Sequence, residues 1–81
     1  MASYDQRTVL TFTSHYQTLK AELKAKELFL QARIIPTPRE ISSSCQSALL
    51  IASSDYQRLK NSIKAEGVFS FRDGKWYSLQ N

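Results

Sequence analysis

The chain has little of several residue types that usually announce a site. In 81 residues it carries one cysteine, one histidine, two glycines and two prolines. A single cysteine excludes a disulfide framework and puts a multi-thiolate metal site out of reach. The two glycines, Gly67 and Gly74, are too few for a phosphate-cradling loop. No apolar run is longer than Ala48–Ala52, far short of the roughly 20 residues a membrane span requires. The opening Met-Ala-Ser-Tyr-Asp has neither the basic nor the apolar segment of a secretory leader, so a cytoplasmic protein that does not engage the membrane is expected. A chain of this length holds one core and buries only about 60–65% of its unfolded surface. A deep catalytic cavity is excluded on that ground.

What is present is an ordinary globular composition, 42% apolar and 22% charged, with eleven basic and seven acidic residues for a net charge of +4. Lys20, Lys24 and Lys26 fall in one candidate helix and Arg58, Lys60 and Lys64 in another, as solvated helix faces do. Nucleic acid is not the favoured partner, because the strand motif of an RNA-recognition sheet, basic-Gly-aromatic-small-aromatic, is missing.

The strongest structural signal is an internal echo. Ser14-His15-Tyr16-Gln17-Thr18-Leu19-Lys20 returns forty positions later as Ser54-Asp55-Tyr56-Gln57-Arg58-Leu59-Lys60, and Leu23-Lys24-Ala25 returns as Ile63-Lys64-Ala65. Ser followed three residues later by Gln is a capping-box signature, so both copies open a helix. The second helix is expected to end at a Gly67 cap and to bury Tyr56, Leu59 and Ile63. The first is expected, by analogy, to bury Tyr16, Leu19 and Leu23; a competing face of Thr18, Ala21, Ala25 and Leu28 is small enough to lie close on a sheet.

Each helix is preceded by a strand-like run, Thr8–Thr13 and Ala48–Ala52, and followed by another, 30–36 and 68–72. Strand-helix-strand twice over predicts one α+β domain spanning 1–81: a ferredoxin-like βαββαβ fold, with a four-stranded antiparallel sheet and two helices on one face. Its halves run over about 8–36 and 47–72 and are joined by the loop carrying Cys45. Asp73-Gly74 is a tight-turn signal, so the Trp76-Tyr77 tail has the means to fold back as a short fifth strand.

The one cysteine stands in Pro36-Thr37-Pro38-Arg39-Glu40-Ile41-Ser42-Ser43-Ser44-Cys45-Gln46. The prolines stiffen the exit from the second strand. Ser42, Ser43 and Ser44 are small residues whose backbone N–H groups suit an anion-favouring nest, and Arg39 is a cation six residues from the thiol. Such a setting favours a thiolate that holds transferable sulfur. The competing reading makes Cys45 a small buried hydrophobe leading into a strand. His15, at the first turn of helix one, is too isolated in sequence to be tied to Cys45, and the two alone are too few ligands for a metal. No metal and no cofactor are expected.

The run PTPREISSSCQSAL, with Ser14-His15 and Leu19-Lys20-Ala21-Glu22 before it, resembles a small bacterial domain-of-unknown-function family of selenium/sulfur (Se/S) carrier-like proteins. The resemblance extends from about Val9 to about Phe71. It implies that Cys45 carries sulfur or selenium, that Pro36, Thr37, Pro38 and Arg39 form the approach, and that Ser42 and Ser43 are the small residues before the thiol. It implies a donor protein, such as a cysteine desulfurase, and an acceptor, rather than an enzyme turning over a substrate; a homodimer is compatible with it. The alternative, from another class, is a protein- or nucleic-acid-binding regulatory module with Cys45 structural. The chain departs from the family twice. Gln46 stands where the family has Gly after the cysteine, and Phe29 stands where it has Gly after helix one.

Overall fold

A computed structural model describes residues 7–41 and 47–79, which form five strands and two helices. In chain order these are β1 (Arg7–Thr11), α1 (His15–Glu27), β2 (Ala32–Pro36), β3 (Ser47–Ala52), α2 (Ser53–Leu59), β4 (Gly67–Arg72) and β5 (Lys75–Ser78). All pairings are antiparallel and the sheet order is β2-β3-β1-β4-β5. The expected four-stranded sheet is therefore corrected to five. The Asp73-Gly74 turn, with φ of 52° and 76°, has the two positive φ values of a type I′ hairpin and returns Trp76 opposite Phe71. Those two rings meet edge-to-face, with centroids 5.0 Å apart. Pro36 ends β2 on the other edge of the sheet, where a strand tolerates a missing N–H.

β1 is the central strand, and Thr8 to Thr11 are all buried. Leu10 and Phe12 on β1 and just beyond it, Leu49 and Ile51 on β3, and Val68 on β4 form one core with Ala21 and Ala25 of α1 and Leu59 of α2, so both helices cover the same face. Each fully buried leucine or isoleucine here stabilises by about 1.5–3 kcal/mol. The buried threonine hydroxyls are accommodated locally: Thr8 Oγ1 lies 2.9 Å from Ser53 Oγ, and Thr18 Oγ1 donates to the Ser14 carbonyl at 3.3 Å.

The helices correct the sequence reading in three places. α1 turns its small face inward: Thr18, Ala21 and Ala25 are buried, while Tyr16, Leu19 and Leu23 are 68%, 41% and 61% exposed. Short side chains let the helix axis approach β2 and β3 closely, and α1 packs against both. In α2, Ser54 is not the cap. β3 runs directly into the helix, Ala52 is the N-cap with no side-chain bond, and the neighbouring Ser53 hydroxyl is engaged by Thr8. α2 also ends early, at Leu59, so Gly67 is no helix cap; it opens β4 opposite Thr11. Its Cβ would lie 2.6 Å from Thr11 Oγ1 and 2.7 Å from the Phe69 ring, which is the physical demand for glycine there. Of the expected α2 stripe, Leu59 is fully buried, with Tyr56 and Ile63 packed partly buried against the core.

The end of α1 explains the other departure. Leu28 is the C-cap, Phe29 has φ 60°, the Phe29 N–H bonds the Lys26 carbonyl at 3.0 Å, and the Leu30 N–H bonds the Ala25 carbonyl at 2.9 Å. That is a complete Schellman motif with phenylalanine at the left-handed position. Leu30, the next residue, returns to the core, and Phe29 itself is 94% exposed. Among the described residues, no helix is long and apolar enough to cross a membrane.

Candidate functional site

The sheet register decides what stands beside the cysteine loop. Pro36 pairs with Ser47, so residues 37–46 form a connection whose two ends are held together by the β2–β3 ladder. Thr11 pairs with Ala48, which sets the start of β3 beside the end of β1. Three residues past β1 the chain enters α1 at its N-cap, Ser14, whose Oγ accepts from the Gln17 N–H at 3.3 Å. The Gln17 side chain does not return to the cap residue as a reciprocal box would; its Oε1 accepts from the Thr13 N–H and hydroxyl.

This path brings His15 to the loop. His15 Nδ1 and Ser47 Oγ are 2.8 Å apart, a hydrogen bond across 32 residues of chain between the first residue of α1 and the first of β3. Ser47 is two residues from Cys45, a separation that two trans peptide units span in at most about 7 Å. No acidic residue occupies the first turn of α1, so no carboxylate opposes the positive end of the helix there. Sequence reasoning singled out His15 but left it apart from Cys45, and it missed Ser47 altogether. The usable signal was the antiparallel pairing of the first and third strands, which juxtaposes the end of one with the start of the other.

The other end of the loop is described as far as Ile41. The Ile41 N–H bonds the Pro38 carbonyl at 3.0 Å, closing a turn with Arg39 and Glu40 exposed at its corners. Arg39 makes no ion pair among the described residues. Pro36, Thr37, Pro38 and Glu40 line one open groove together with Phe71 and Trp76 of the β4–β5 hairpin. By register Phe71 and Trp76 face away from the helices and lie toward the end of the sheet opposite Pro36, so the strand exit folds back across the helix-free face. Within this groove Thr37 Oγ1 is buried and has no hydrogen-bond partner among the described residues. Ser42, Ser43, Ser44, Cys45 and Gln46 lie outside the described residues; of the expected site's surroundings the structure brings together His15 and Ser47, while Arg39 stands on the other described flank without contact to that pair.

The described flanks show that the cysteine-bearing connection leaves β2 and enters β3 at paired positions, Pro36 and Ser47. The chain matches the family described as "Putative Se/S carrier protein-like" over residues 7–69. No curated protein and no solved structure matches it. The match takes in both helices, the first three strands, the start of β4 and the stretch that carries Cys45, and the chain belongs to that family.

Proposed function

We propose that this member of the Se/S carrier-like family holds one sulfur or selenium atom on Cys45 and passes it to a partner, working as a transfer module rather than as an enzyme. The reading is carried by the family match across residues 7–69, within which Cys45 is the one cysteine. We read the first six elements as the ferredoxin-like βαββαβ core of the carrier, extended at the β4 edge by β5.

The chemistry needs no oxidant or metal. Cys45 thiolate attacks the terminal sulfur of a donor persulfide, R–S–SH; the donor's S–S bond breaks, R–S⁻ leaves, and Cys45 holds –S–SH. Release is the same displacement in reverse sense: an acceptor nucleophile attacks the terminal atom and Cys45 thiolate leaves. Selenium follows the same route as a terminal selenium atom. Arg39 and the backbone N–H groups of Ser42, Ser43 and Ser44 favour the anionic forms, and the His15–Ser47 bond steadies the exit of the loop. A donor such as a cysteine desulfurase fits the first step.

The test is intact mass spectrometry after incubation with a cysteine desulfurase and cysteine, with Cys45→Ser alongside. A reductant-reversible gain of one sulfur on the wild type alone is expected. A thiol that reacts with iodoacetamide only after denaturation, together with no gain from the desulfurase, would reject the carrier reading in favour of a packed cysteine.

A further inference from the structure

The inward turn of α1 leaves a surface that no other element covers among the described residues. Tyr16, Leu19 and Leu23, spaced i, i+3 and i+7, form an apolar row on the outside of the helix. Leu23 continues into a groove of about 550 Å³, whose apolar lining also includes Phe12, Ala21 and Ile63. Lys20, Lys24 and Lys64 line the same groove against a single acid, Glu27, a net of three minus one, or +2. Glu27 does little to cancel this, because its contact with Lys24 is a surface pair at 3.5 Å. Lys20 also sits 5.5 Å above the Tyr16 ring, continuing the positive charge along the row.

We propose that this face docks an amphipathic helix of a partner protein, one with aliphatic side chains along one stripe and glutamate or aspartate beside it. The concavity selects protruding side chains, which a flat bilayer does not supply. Tyr16 is the one exposed ring on this face, too little platform for the run of stacked bases that single-stranded nucleic acid presents. A second copy of this chain would set one lysine rim against another. An acidic amphipathic helix satisfies both the apolar lining and the charge. The surface stands on α1 and residues 62–64 and owes nothing to Cys45.

The probe is a fluorescein-labelled peptide of about 15 residues, leucine at i, i+3, i+4 and i+7 and glutamate elsewhere, long enough to form a helix on the surface. The full chain is titrated by anisotropy, and the contacts are mapped by amide chemical shifts. Saturable binding with shifts at Tyr16, Leu19, Leu23 and Lys64 is expected. Leu19→Gln/Leu23→Gln weakens it by about tenfold or more, as loss of two buried leucine contacts requires. Lys20→Glu/Lys64→Glu and added salt weaken it too. All four positions are exposed or at the groove mouth, and an unchanged circular-dichroism melt verifies that the variants fold. The proposal is overturned if a scrambled peptide binds equally, or if the shifts fall elsewhere. It is equally overturned if the same variants abolish binding to phosphatidylglycerol vesicles or an oligonucleotide while sparing the peptide, or abolish self-association in sedimentation.

Discussion

Phe29→Gly should stabilise this protein, although glycine is the costlier residue inside a helix. Phe29 holds φ at 60°, where a side chain costs about 1–2 kcal/mol relative to glycine. Its ring is 94% exposed, so removing it forfeits almost no burial. Against the relief stands the extra freedom glycine gives the unfolded chain, about 0.4–1 kcal/mol. The net gain is about 0.5–1 kcal/mol, which raises Tm by roughly 3–6 °C in a domain of this size. Both Schellman bonds are made by backbone groups and survive the change. Urea titration followed by circular dichroism measures the difference, with Phe29→Ala as the control that removes the ring but keeps the Cβ. If Phe29→Gly is neutral or destabilising, or if Phe29→Ala gains as much, a Cβ held in the left-handed region is not the source of the strain.

Gly67→Ala is the opposite case. Its Cβ would collide with the β-branched, buried Thr11 and with the Phe69 ring, so the variant loses about 1–3 kcal/mol and melts at least about 4 °C lower. Placing it in a Thr11→Ala background recovers part of that loss; full additivity in the cycle would show that the hydroxyl is not the obstacle. Ser47→Ala removes the partner of His15 at a cost below about 1 kcal/mol to stability, since the bond is exposed. Under the carrier reading it slows sulfur loading of Cys45 to the same degree as His15→Ala, with no further loss in the double variant; independent effects in a loading time course would separate the two residues.

Strand-helix-strand repetition was legible because the alternation of Leu10 with Phe12 and of Phe69 with Phe71, and the apolar Ala48–Ala52 run, are local signals. The hairpin was legible from Asp73-Gly74 for the same reason. What failed was an inference by analogy between the copies. Ser14 and Ser54 are equivalent in sequence, yet Ser14 follows a two-residue link, Phe12 and Thr13, after β1 whereas β3 passes straight into α2, which shifts the helix start and spends the cap. Likewise Tyr16-Leu19-Leu23 outscores Thr18-Ala21-Ala25 on hydrophobicity, but the sheet beneath α1 selects for closeness of approach. A short-side-chain face wins where the helix packs closely over Leu49 and Ile51 of the sheet.

The candidate site divides along the same line. The chemistry proposed for the loop, from Arg39 through Cys45, rests on the consecutive residues alone, since 42–46 lie outside the described residues. Its support does not, since His15 and Ser47 meet only because Thr11 pairs with Ala48, a contact set by the register of two strands far apart in the chain. A one-residue slip of β3 would turn Ser47 to the other face and leave the imidazole facing away from the loop's exit. The same register buries Leu49 and Ile51 against the helices, so the residues that hold the core together also hold the flank of the thiol in place. Core substitutions on β3 are therefore expected to reach the site without touching it. Leu49→Ala, which opens a cavity costing about 2–5 kcal/mol, should loosen the His15–Ser47 bond, detectable as faster exchange of the Ser47 amide relative to that of Leu10. Equal protection of the two amides in that variant would uncouple the site from the sheet.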